Sequence, residues 1–191
     1  MDEQHIKEAV VYSGSFNPFH IGHMAIVKEL SEYFDEVYLV VSVQNPLKTE
    51  QASDFSTRLE TVRKAVEKSG LTNVIVEDIE ATLEPPFFTV HPLEALEAKY
   101  PDLIFWFCVG GDCLENMEQW HEWEKLFSHY GLVIIPREGY DHMMAVELLK
   151  DRAECPEYWH CAVIKADIPQ VSSTEIREKL ARGESVAHLI P

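Results

Sequence analysis

Apolar residues recur along this chain in two patterns. Nearly continuous runs stand at residues 9–12, 37–43, 74–76, 103–109, 131–135 and 161–164, each of strand length. Between them the spacing lengthens to three and four: Met24, Val27, Leu30 and Phe34, then Phe55, Leu59, Val62 and Val66, then Leu93 and Leu96; a further helix is read at Met144, Val146, Leu148 and Leu149. That is the period of helices with one buried face. Strands apolar on both faces that alternate with helices belong to a parallel sheet covered on both sides. The expectation is an α/β fold, a doubly wound, mostly parallel sheet of Rossmann-like form, and with no linker or internal repeat residues 1–191 read as a single domain.

Local signals punctuate the pattern. Ser53 or Asp54 caps the helix that Gly70 ends, Pro92 suits the first turn of a helix through Lys99, and residues 81–88, with Pro85-Pro86, read as a loop. Arg58, early in its helix, reads as a surface charge. Trp120 and Trp123 flank His121-Glu122 in a short amphipathic stretch to Phe127, a pattern that more often marks core than a ligand wall. The last helix opens at Ser172 and runs to about Arg182, before Gly183.

Charge narrows the partners. Lys+Arg number 16 against Asp+Glu 33, a net charge of -17, and no basic run appears, so nucleic acid is not expected as a partner. A small anion would need a site built from helix N-termini and a few chosen cations. Cys108, Cys113, Cys155 and Cys161 form no Cys-x-x-Cys pair and read as reduced thiols. The first residues lack the features of a secretory signal and no apolar run is long enough to span a bilayer, so the expectation is a soluble, cytoplasmic protein with no membrane partner. A homo-oligomer stays open.

Candidate chemistry gathers where strands stop at glycines. The first strand runs into Ser13-Gly14-Ser15-Phe16-Asn17-Pro18-Phe19-His20-Ile21-Gly22-His23 and then a helix, which aims backbone N–H groups and the positive end of a helix dipole at one point. His20 and His23 are one helical turn apart, so both rings can face the same anion, and Gly22 leaves room for a ligand to approach. Zinc competes with a phosphate here, but no third ligand of metal spacing stands nearby. The apolar run 103–109 ends in Gly110-Gly111-Asp112, where Asp112 suits either a ribose contact or a helix cap. Lys48, after the second strand, is either a phosphate contact or a solvated lysine, and Arg137 holds a strand-end position fit for a phosphate. Ser172 and Glu175 stand at capping-box spacing, which leaves Ser173, Thr174 and Arg177 unexplained except as a second anion site.

Taken together, Gly14-x-Phe16-x-Pro18-x-His20-x-Gly22-His23 and Ser172-Ser173-Thr174-x-x-Arg177 resemble the paired motifs of the nucleotidyltransferase superfamily. Gly110-Gly111-Asp112-x-Leu114, Trp120-x-x-Trp123, Pro136-Arg137-x-Gly139-Tyr140 and Phe88-Thr89-Val90 narrow the likeness to the bacterial nicotinate mononucleotide adenylyltransferase family over essentially the whole chain. The resemblance implies adenylyl transfer from ATP to nicotinate mononucleotide, giving deamido-NAD and pyrophosphate in NAD biosynthesis. It implies that Gly14, Ser15, Phe16, His20, His23, Ser173, Thr174 and Arg177 bind ATP, with His20, His23 and Arg177 catalytic. Lys48, Phe88, Thr89, Asp112, Trp120 and Arg137 would bind substrate, with Trp120 stacking on the pyridine ring. Mg²⁺ would be held mainly through the ATP phosphates and water, without a carboxylate cage.

Three positions depart from the family pattern: Ser13 replaces a common glycine, residues 87–92 stand where Ser-Tyr-Thr-x-Asp-Thr is typical, and Glu138 replaces a frequent proline. The alternatives are an adenylyltransferase for nicotinamide mononucleotide or phosphopantetheine, and a nucleotide-binding sensor without turnover. No Ser-His-Asp or Cys-His arrangement is called for, because the acceptor phosphate is already ionised.

Overall fold

The six apolar runs form six strands of one parallel sheet: β1 (Lys7–Gly14), β2 (Glu36–Val41), β3 (Val74–Glu77), β4 (Leu103–Gly110), β5 (Gly131–Ile135) and β6 (Cys161–Val163). This computed structural model describes residues 6–44, 54–137, 139, 141–157, 159–165 and 167–191; Lys48, Ser53, Glu138 and Tyr140 lie outside them. The strand order is β3-β2-β1-β4-β5-β6, and every neighbouring pair is parallel. Chain direction across the sheet reverses between β1 and β4, the place where a doubly wound sheet opens a crevice at its carboxyl edge.

Successive strand residues point to opposite faces and fill two cores. Ala9, Val11, Phe105, Phe107, Leu132 and Ile134 pack under α3 (Val90–Lys99), α4 (Trp123–His129) and α5 (His142–Arg152). Val10, Leu39, Val41, Cys108, Val133 and Ile135 pack with α1 (Ile21–Tyr33) and α2 (Phe55–Ser69). The last helix, α6 (Ser173–Ala181), buries only Ile176 among its own residues. No helix among the described residues is long and apolar enough to cross a membrane.

Caps explain where the helices begin and stop. The Asp54 carboxylate accepts from Thr57 N–H, and Gly70 closes α2 with φ 74 in the left-handed region that glycine enters without strain. Asp141 caps α5 through Met144 N–H, and Ser172 caps α6 through Glu175 N–H. The departures from expectation have local causes. β2 ends at Val41, because Ser42 N–H makes a last bond to Gly14 O at 2.9 Å and the next N–H, that of Val43, goes to the Glu80 carboxylate. A 3₁₀ turn at Ile79–Thr82 carries Glu80 to that bond and takes the start of the expected loop. A second 3₁₀ helix, Gly111–Gln119, occupies the stretch after β4, so α4 starts only at Trp123 and Trp120 stands outside it as a cap residue.

Candidate active site

A cavity of about 470 Å³ opens at the carboxyl edge, between the exits of β1, β2, β4 and β5 and the start of α6. Gly14, Ser15, Phe16 and His23 line it from the first turn, Ser173 and Arg177 from α6, and Phe88, Thr89, Asp112, Trp120 and Arg137 from the opposite rim. The two motifs that lie at opposite ends of the chain thus face one space.

The first turn is shaped by its own rings. Phe16 adopts φ 45, and its ring folds back over Gly14, where any Cβ would stand 2.9 Å from Phe16 Cε1. From there Phe16 packs edge-on to Tyr12, Phe19 and His23. His20 caps α1: its Nδ1 accepts from His23 N–H, while His23 Nδ1 accepts from His20 N–H, both at 3.3 Å. The rings stack with centroids 3.6 Å apart and 18° between planes. Because each Nδ1 is an acceptor, the neutral ring carries its proton on Nε2. Burial, helped by the Arg137 cation, lowers the His20 pKa to about 4, so that ring is neutral near pH 7. His23 lines the cavity, and His20, 5% exposed, lies stacked behind it. Gly22 makes room not for a ligand but for the His20 ring and the Pro169 carbonyl, each 3.1 Å from where a Cβ would stand.

The start of α6 is tied to that turn across the chain. Ser173 Oγ donates to Pro18 O at 3.0 Å, and Arg177 Nη1 donates to Asn17 O at 2.8 Å. Arg177 Nη2 donates to Thr174 Oγ1 at 3.1 Å, which holds Thr174 to the guanidinium rather than on the cavity wall. The hydroxyls and guanidinium expected to hold an anion therefore also join the last helix to the first loop.

Across the cavity, Arg137 Nε stands 3.6 Å from Asp112 Oδ1, both side chains about half exposed, which makes this a weak, screened pair. Asp112 does not cap the 3₁₀ helix, whose N-cap is Gly110. Its carboxylate fills the space where a Cβ on Gly110 would stand, although Gly110 itself lines the cavity, and the ring of His142 fills the corresponding space beside Gly111. His142 Nε2 accepts from Arg137 N–H at 3.1 Å and fixes the strand end that bears the guanidinium. Its Nδ1 is buried without a hydrogen-bond partner.

Aromatic rings build the remaining wall. Phe88 stacks on His121 at 4.4 Å and 25°, and His91 meets both edge-on. Phe87, Phe88, Trp120 and His121 line the cavity beside Thr89, which stands at the N-cap of α3 with its hydroxyl unused in capping. His91 neither lines the cavity nor caps the helix; its role is to brace Phe88 and His121.

Sequence reasoning missed the charged floor. Arg58 is 3% exposed, not a surface charge: Nη1 donates to Ser15 O and Ser42 O, each at 2.7 Å, and Nη2 to Val43 O at 3.1 Å. Glu80, 4% exposed, lines the cavity and accepts from Val43 N–H. Burial raises its pKa to about 7 against the pull of the Val43 and Gln44 N–H groups and the Arg58 charge. Ser13 and Ser42, whose Oγ atoms are 3.4 Å apart, and the Tyr12 ring complete this side.

Comparison with known proteins shows what the chain is similar to as a whole. The cytidylyltransferase-like family model matches residues 11–179. The "Probable nicotinate-nucleotide adenylyltransferase" of Bacteroides thetaiotaomicron is 38% identical over 194 residues, covering 100% of this chain and 90% of that protein. The protein of the same name from Bacteroides fragilis is 34% identical over 184 residues, covering 94% and 85%. Among solved structures, the Plasmodium falciparum nicotinic acid mononucleotide adenylyltransferase complexed with NaAD superposes with a TM-score of 0.77 at 21% identity, covering 95% of this chain and 88% of that one. At that identity the likeness is one of fold.

Proposed function

The chain belongs to the cytidylyltransferase-like family, and from that premise we propose that it transfers the adenylyl group of ATP to nicotinate mononucleotide, giving deamido-NAD and pyrophosphate. The observation that supports this best is the single cavity faced at once by His23, Arg177 and the Phe88–Thr89–Trp120 wall. Relatives of the same name along nearly the whole chain point to the same reaction.

In this reading the acceptor phosphate attacks the α-phosphorus in line and pyrophosphate leaves, with no covalent intermediate. The Nε2–H group of His23 donates to the α-phosphate oxygens from the cavity wall, beside the positive end of α1, where charge develops in the transition state, and His20, stacked behind it, holds that ring and the helix start in place. Arg177 and the start of α6 hold the outer phosphates, with Ser173 and Thr174 keeping that helix end in place. Arg137, backed by His142, meets the substrate phosphates, Asp112 takes ribose hydroxyls, and Lys48 assists on the acceptor phosphate. Thr89 and the neighbouring backbone donate to the pyridine carboxylate, while Trp120 gives the ring a flat face.

No group of three or more His, Cys, Asp or Glu among the described residues could hold a metal ion. Asp112 beside an open cavity fits an ion carried in mainly by phosphates and water, and Mg²⁺ bound in that way would draw charge from the phosphate oxygens. Residues 1–191 act as one nucleotidyltransferase domain in the cytoplasm, where the four cysteines stay reduced.

Pyrophosphate release from ATP and Mg²⁺ with nicotinate mononucleotide, nicotinamide mononucleotide and phosphopantetheine in turn tests the proposal. Release with nicotinate mononucleotide at the highest kcat/KM is expected. Release only with phosphopantetheine, or with none, overturns it.

A further inference from the structure

We propose that Arg58 is a positioning residue for the transfer step: it holds the turn that bears the catalytic histidines and the exit of β2 at a fixed separation. The proposal rests on the adenylyl-transfer reading above. Sheet pairing between the two strands stops with Ser42 N–H on Gly14 O, at 2.9 Å. Beyond that bond no strand pairing joins the two segments: β1 ends at Gly14 and leads into the loop that carries His20 and His23, and β2 ends at Val41. The Arg58 guanidinium lies between them and donates to Ser15 O on one side and to Ser42 O and Val43 O on the other.

The grip on β2 is two-sided. Arg58 takes the carbonyl of Val43 and the Glu80 carboxylate takes its N–H, so that peptide unit is fixed in orientation as well as place. Ser15, Ser42 and Glu80 all line the cavity, which makes the clamp part of its wall. A guanidinium suits this task because its planar donors diverge in a fixed fork, whereas an ammonium is a point charge on a flexible stem. A buried cation is costly unless well bonded, and three of the bonds of Arg58 go to backbone carbonyls at two strand exits, in addition to its contact with the Phe55 ring of its own helix.

Separation matters because the turn carries the histidines assigned to the α-phosphate, while the β2 exit, through Ser42 and Gln44, forms another part of the wall of the same cavity. Transfer needs the attacking oxygen and the phosphorus held in a near-attack arrangement, and a misplacement of about 1 Å costs on the order of 10²-fold in rate. Loss of the clamp changes how the two substrates meet more than how tightly either is held, so kcat falls while the KM values stay close.

The test uses Arg58→Lys and the pair Arg58→Met with Glu80→Gln, the second change removing the carboxylate that the first would strand. Amide hydrogen exchange in the ligand-free proteins reads the coupling directly. Faster exchange is expected at residues 14–17 and 42–44, with β4 and β5 amides as protected as in wild type. Turnover with ATP and nicotinate mononucleotide should fall about 10²-fold in kcat, with both KM values within about threefold, and Arg58→Lys should retain more activity than the Met variant. Unchanged kcat in a folded variant overturns the proposal, as does exchange that rises equally over the whole sheet, since a purely structural arginine would give that. If wild type shows no turnover, the reaction assignment fails while the exchange pattern still decides whether Arg58 couples the two turns.

Discussion

His20 and His23 cap one another: each ring offers Nδ1 to the other's backbone N–H, and the rings stack 3.6 Å apart. The helix start and the chemistry therefore share two side chains. His23→Ala should lower kcat on the order of 10² or more, from loss of a donor to charge developing at the α-phosphorus. It should also cost about 1 kcal/mol of stability from the broken cap. His23→Asn separates the roles, because its amide oxygen can still accept from His20 N–H. Thermal unfolding of His23→Asn near wild type together with lost turnover is the expected pair of results; near-normal turnover in either variant would sink the catalytic role.

Arg177 bonds Asn17 O and Thr174 Oγ1 from the first turns of α6 while its side chain lines the cavity. Arg177→Ala should weaken ATP binding by about 2 kcal/mol, roughly 30-fold, the scale of a hydrogen bond to a charged group. Binding of the mononucleotide alone should change much less. Titration calorimetry with each ligand checks this, and an equal loss for both would move Arg177 away from the outer phosphates.

Thr89 stands at the start of α3 with its hydroxyl free of the cap and beside the Phe88–His121 stack. A carboxylate on the pyridine ring gains from donors there, whereas an amide presents its own N–H₂ donors to them. Thr89→Val keeps the shape and removes the hydroxyl. It should reduce kcat/KM for nicotinate mononucleotide by about tenfold and leave that for nicotinamide mononucleotide nearly unchanged, narrowing the preference. A variant whose preference equals that of wild type would remove Thr89 from carboxylate recognition.

The sheet and its helices were legible because the information is local: apolar runs on both faces of β1, β2 and β4, and stop signals such as Gly70 that act within a turn. The paired motifs were legible for the same reason, each being a short stretch with its own chemistry. What escaped was long-range and backbone-directed. Arg58 spends its donors on carbonyls of Ser15, Ser42 and Val43, and a carbonyl has no signature in the residue string. Gly22 was misread because a missing side chain shows that something sits close without showing what; here it is the His20 ring and the Pro169 carbonyl. His142 itself gave no signal, as its partner is a main-chain N–H at Arg137.

Two buried groups pull the pH dependence of stability in opposite directions. Burial lowers the His20 pKa from the ordinary 6.5 to about 4, so the unfolded chain binds that proton first. Its contribution is full above pH 6.5 and is lost as pH falls toward 4. Burial raises the Glu80 pKa from 4.5 to about 7, so the folded protein binds that proton first. That contribution is full below pH 4.5 and is lost as pH rises through 7. Between about pH 4.5 and 6.5 the two slopes offset, and wild type should show a shallow profile there. Glu80→Gln keeps an oxygen for Val43 N–H but cannot ionise, which leaves the His20 slope alone. Arg58 is the cation facing Glu80, and its attraction is already contained in the value near 7. Urea unfolding at pH 5, 6, 7 and 8 should therefore show the variant gaining on wild type as pH rises from 5 to 7, with the difference levelling by pH 8, where Glu80 is ionised in both the folded and the unfolded chain. A variant that differs from wild type by the same amount at every pH would mean that Glu80 titrates alike in the folded and unfolded chains.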